Sequence, residues 1–138
     1  MSRKRVTSKD VLQYVYKLLK ASPLYESYSR EVYYYGTEPR DVYCPGIVIR
    51  HVAGRSGEIQ EGVVSILIYS TASGGDYGSG IYKESLKNTT DIERKAQDWV
   101  ESLPTGEYLF WSDDTIQTDY DPEAGLYFTS IRLKYKHY

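Results

Sequence analysis

Gly62-Val63-Val64-Ser65-Ile66-Leu67-Ile68-Tyr69 is the most apolar run of the chain, and the rest of the fold is read outward from it. Large apolar groups fall on both alternating faces, the pattern of a central strand covered on both sides. Upstream, Ile47-Val48-Ile49-Arg50-His51-Val52 is a second β-prone run, and Gly54 and Gly57 lie between the two. This spacing predicts an antiparallel hairpin joined by residues 53–60. Before it, Glu31-Val32-Tyr33-Tyr34-Tyr35, closed by Gly36, predicts a further strand.

Two helices bracket these strands. Thr7 with Asp10 has the form of a capping box with Asp in place of Glu. Val11, Val15, Leu18 and Leu19 then recur at helical spacing, and Leu12 and Tyr16 widen the stripe. Pro23 is expected to end this helix, because its ring interrupts the hydrogen-bond ladder. Thr90-x-x-Glu93 is a complete capping box, followed by an apolar face of Ile92, Ala96, Trp99, Val100 and Leu103. Pro104 and Gly106 close that second helix.

Two strands are expected to finish the chain, near residues 107–118 and 126–136. In the last one Tyr127, Thr129, Ile131, Leu133 and Tyr135 alternate with Ser130, Arg132, Lys134 and Lys136. One face is apolar and the other basic, as in a strand with one wet side. The expected fold class is therefore α+β: a mainly antiparallel sheet with two helices packed on it, in the order α-β-β-β-α-β-β. Residues 1–138 form one domain, with a long Gly-rich loop at 71–88.

Composition bounds the function. With 17 basic and 19 acidic residues the net charge is −2, too near neutral for a dedicated nucleic-acid binder. The basic start, Arg3-Lys4-Arg5, precedes no apolar stretch, so a secretory signal is not expected. No apolar run approaches the roughly 20 residues that span a bilayer, so the chain is expected in the cytosol, away from membranes.

Candidate chemistry is sparse. Cys44, His51 and His137 are the whole stock of thiols and imidazoles, and Pro45-Gly46 keeps Cys44 from a ready pairing with His51. Asp113, Asp114, Asp119, Asp121 and Glu123 are dense enough to suggest a hard cation, but their spacing does not match a calcium loop. Gly74, Gly75, Gly78 and Gly80 lack the lysine and prompt helix of a phosphate-binding loop. No catalytic residue, metal site or cofactor is expected, and the chain does not read as an enzyme.

Tyrosine is the compositional anomaly: 16 Tyr stand against 2 Phe and 2 Trp. A ring with a polar tip suits surfaces buried only on assembly, although strands also favour aromatics in their own right. The residues expected to meet a partner are Tyr77 and Tyr82 in the long loop, Asp113 and Asp114, and the basic row Arg132, Lys134 and Lys136.

In element order and size the whole chain resembles the tail-terminator, or tail-completion, proteins of long-tailed bacteriophages. The resemblance is carried by the helix Val11–Leu19, the apolar hairpin Ile47–Tyr69, the loop Thr71–Asn88, the helix Ile92–Leu103 and the strands to Tyr135. It implies a structural virion protein: a homo-oligomeric, usually hexameric ring at the junction of the tail tube and the head–neck connector proteins. DNA would pass through such a ring without specific binding, and assembly would take place in the bacterial host cytoplasm. The alternative reading is a nucleic-acid-binding module that uses exposed tyrosines as stacking platforms beside a basic strand face.

Overall fold

The computed structural model describes residues 6–28, 31–37, 46–55, 60–70, 86–122 and 126–137. Its centre is the strand pair that the alternating pattern marks out. Strand β3 (Gln60–Ser70) lies between β2 (Ile47–Arg55) and β6 (Leu126–His137), antiparallel to both. Among the described residues the sheet has six strands, with β1 (Val32–Tyr34) at one edge. At the other edge β4 (Tyr108–Trp111) and β5 (Gln117–Asp121) pair with successive halves of β6.

Helix α1 (Ser8–Lys20) begins as its sequence predicts. Thr7 Oγ1 accepts from the Asp10 amide at 3.1 Å, and the Asp10 carboxylate accepts from the Thr7 amide at 2.8 Å. Val11, Leu12, Val15 and Leu19 are buried beneath it. From helix α3 (Leu86–Ser102), Ile92, Ala96 and Trp99 join the same core. Both helices pack on the sheet face formed by Ile47 and Ile49, Val64, Ile66 and Ile68, Ile131 and Leu133, and Tyr108 and Phe110. Core side chains at every second position of each strand are what the pleat requires.

Five expectations are corrected. Among the described residues there are three helices, not two, because α2 (Pro23–Tyr28) follows α1 directly. Pro23 starts this helix: it takes the first helical position, where its missing N–H costs nothing. Ser22 caps it, donating to Leu19 O at 2.6 Å and accepting from the Tyr25 amide at 3.4 Å. Second, the sheet is mixed, since β1 runs parallel to β2. Residues 35–46 separate the two strands, about the length that a parallel return needs.

Third, the strand expected near 107–118 divides into β4 and β5, giving the order α-α-β-β-β-α-β-β-β. Ser112 Oγ reaches Asp114 O at 3.3 Å, and the turn takes residues 112–116 off the edge of β6. Fourth, α3 opens at Leu86, so Thr90 and Glu93 lie inside the helix and form no cap. The Glu93 carboxylate instead accepts from Thr118 Oγ1 of β5 at 2.8 Å. Fifth, β3 is central, but both long helices cover the same face, and Val63, Ser65, Leu67 and Tyr69 on the other are only half-buried. Among the described residues, no helix is long and apolar enough to cross a membrane.

Candidate interaction surface

The sheet face opposite the helices collects most of the residues singled out from the sequence. Arg132, Lys134 and Lys136 project from β6 opposite to the buried Ile131, Leu133 and Tyr135, as their alternation predicts. Asp113 and Asp114 come to the same place from the turn after β4. Lys134 Nζ donates to Asp113 Oδ2 at 2.8 Å, and Arg132 Nε lies 3.6 Å from Asp114 Oδ2. The acidic turn and the basic strand are therefore partners within one chain. The Lys134 hydrogen bond, helped by Trp111 Nε1 at 3.3 Å, holds the Asp113 carboxyl below its usual pKa.

Lys136 has a different neighbour, the Trp111 ring, whose centroid is 5.8 Å from its ammonium. Trp111, Val63, Ala53 and the backbone of Gly54 and Gly62 border a shallow trough of about 390 Å³. Further along, two polar notches flank the 112–116 turn. One, of about 480 Å³, lies against α3 and includes Glu93, Arg94, Glu101 and Ile116. The other, of about 600 Å³, includes Ser65, Ser130 and Arg132. Tyr77 and Tyr82, and residues 71–85 of the proposed loop arm, lie outside the described residues.

On the helix-covered face the structure assembles a group that sequence reasoning missed. His51 Nε2 and Tyr135 Oη are 2.7 Å apart, joining β2 to β6 across β3. Room for this bond comes from two glycines that face each other across the hairpin, Gly54 and Gly62. A Cβ at Gly54 would lie 2.9 Å from the His51 ring, and one at Gly62 would lie 2.5 Å from Tyr135 Oη. The signal was present: paired glycines in opposed strands often mark a close approach, not only a turn. Desolvation lowers the His51 pKa, and burial also raises that of Tyr135.

Tyr135 meets Tyr108 edge-on at 6.3 Å, and Tyr108 packs against His137 at 4.8 Å. His137 Nε2 lies 3.1 Å from Glu107 Oε1. Tyr14 of α1 covers Tyr108 at 4.5 Å, and burial pushes the Tyr108 phenol up to about 12. This is a packed aromatic seam between α1 and the sheet. Its histidines hold strands together, and no open cavity among those described is lined by both.

Among the described residues no three His, Cys, Asp or Glu side chains gather in a way that could hold a metal ion. What the described surface offers is contact area: a sheet face with half-buried and exposed side chains, a charged row and a half-exposed tryptophan. Comparison with protein-family models and with curated proteins gives no match for this chain.

Proposed function

We infer that the protein is a structural assembly subunit, and that it works as a tail-terminator-type ring component at the junction of a phage tail tube and its neck. The observation that supports this most is the one-sided build. Both long helices sit on one face of the six-stranded sheet. On the other face Val63, Ser65, Leu67, Tyr69, Arg132, Lys134 and Lys136 are half-buried or exposed, and this part of the sheet is what would meet further copies or neighbouring virion proteins. Homo-oligomers of this kind close by cyclic symmetry when the contact is head-to-tail.

The nucleic-acid alternative is the weaker reading. Arg132 and Lys134 are already neutralised by Asp114 and Asp113, which leaves little of the basic row to attract phosphate. The test is native mass spectrometry with light scattering on the purified chain over a rising concentration series, and copy counting in assembled tails. One discrete closed multiple is expected. A monomer at every concentration together with a single copy per tail would overturn the reading.

A further inference from the structure

The described residues include three large exposed hydrophobic side chains, Tyr35, Val52 and Tyr120, at 59%, 44% and 45% exposure. They divide between the two opposite edges of the sheet. Tyr35 follows β1 directly, its amide donating to Ile49 O at 2.9 Å, and Val52 sits at the bulge of β2 between His51 and Ala53. Tyr120 is on β5, at the far edge. Each edge carries its own charge. The Arg50 guanidinium stacks 4.7 Å over the Tyr35 ring and forms no ion pair with a described residue. Asp119 and Asp121 flank Tyr120, and Asp119 accepts only a long hydrogen bond, 3.4 Å, from Gln117.

We propose that these two edges are the halves of one head-to-tail contact: the Tyr120–Asp119 edge of one copy docks on the Tyr35–Arg50 edge of the next. This rests on the ring reading above and names the surfaces that would build the ring. Like-with-like pairing is disfavoured, because it would set Arg50 against Arg50 or Asp119 against Asp119. Opposite edges of one sheet, with opposite charge and a tyrosine each, match a heterologous contact that repeats from copy to copy. β1 pairs with β2 and β5 with β6, and no other described strand lies on their outer sides, where a strand of the next copy can add. Stacking on Tyr35 also holds the Arg50 guanidinium beside the edge that its carboxylate partner would approach.

The experiment is a charge-swap series read by native mass spectrometry at fixed concentration, with thermal melting as the control for folding. Arg50→Glu and Asp119→Arg are each expected to weaken assembly by about tenfold or more. The double variant, Arg50→Glu with Asp119→Arg, restores the complementary pair and should recover most of the wild-type oligomer. All three should melt close to wild type, since both side chains are exposed. If wild type assembles and either single variant assembles equally well, this contact is wrong while the ring stands. Failure of the double variant to recover would also overturn it. If wild type itself never assembles, the ring reading falls and takes the contact with it.

Discussion

Replacing Gly62 with alanine should destabilise the fold far more than the same change at Gly54, its neighbour across the hairpin. An added Cβ at Gly62 would lie 2.5 Å from Tyr135 Oη, 2.6 Å from Tyr135 Cε1 and 2.6 Å from Ala53 O. The Tyr135 ring can swing aside only by giving up its 2.7 Å bond to His51, a loss of about 0.5–1.5 kcal/mol. The Ala53 carbonyl is backbone of the bulged strand, so the strand itself must shift, an overpacking cost of about 1–3 kcal/mol. Less the roughly 0.4–1 kcal/mol that a stiffer unfolded chain returns for a Gly→Ala change, the expected loss is about 1–4 kcal/mol. At Gly54 the nearest atom is the end of the His51 side chain at 2.9 Å, and the closest backbone oxygen is at 3.6 Å. There the ring can tilt, and the stiffer unfolded chain returns about 0.4–1 kcal/mol, leaving a net change of about 1 kcal/mol or less. Urea denaturation of both variants above pH 7 measures the difference. Tyr135→Phe on the Gly62→Ala background removes the hydroxyl clash but leaves Ala53 O, so it should not restore stability. Equal midpoints for the two alanine variants, or a rescue by Tyr135→Phe, would refute the assignment of the clash to the β2 backbone.

Two further outcomes follow from the same packing. Leu133→Ala removes a fully buried side chain and should cost about 2–5 kcal/mol in a denaturant titration, whereas Lys134→Glu, which replaces an exposed ion pair with Asp113 by repulsion, should cost only about 1 kcal/mol. The reverse order of effects would mean that β6 is out of register by one residue. Desolvation depresses the folded-state pKa of His51 below 6.5, so the unfolded chain binds more protons as pH falls. Stability from this group is complete above about pH 6.5 and is lost as pH drops through the unfolded value towards the folded one. His51→Gln should flatten that part of the stability–pH curve, and an unchanged slope would remove His51 as its source.

The parts of the fold that could be read in advance are those with a period. The α1 stripe and cap, the β2–β3 hairpin, the apolar face of α3 and the alternation in β6 each repeat over several residues and are found where the spacing puts them. The parts that could not be read turn on single residues with two meanings. Pro23 both ends one helix and begins another, and only the Ser22 cap decides between them. Asp113 and Asp114 read as residues that meet a partner, yet they lie in the 112–116 turn that splits the predicted strand and pair there with Lys134 and Arg132 of the same chain. Thr90-x-x-Glu93 satisfies the capping pattern, but Glu93 is drawn to Thr118 across the edge of the sheet. The His51–Tyr135 bond spans 84 positions, so its partners share no period; only Gly54 and Gly62, which make room for it, mark the place in the sequence.

The tyrosines bring these strands of argument together. An excess of tyrosine reads either as strand propensity or as interface, and the structure divides the described ones between the two. Tyr14, Tyr108 and Tyr135 form a seam within the fold, and Tyr16 stacks on Tyr34 at 5.7 Å beside it. In that seam a phenylalanine would fill the same space, but Tyr135 would lose its bond to His51 and the far ends of β2 and β6 would lose a link that crosses β3. Tyr35 and Tyr120 stand outside that seam, exposed at opposite edges, where Tyr35 carries the Arg50 guanidinium and Tyr120 packs on Tyr127 at 5.0 Å. If tyrosine served only the sheet, replacing these two by serine would leave assembly untouched. On the head-to-tail contact, each removes an aromatic anchor from one half of the same interface. Tyr35→Ser and Tyr120→Ser should then weaken the oligomer to a similar degree, and the double variant should lose less than the sum of the two.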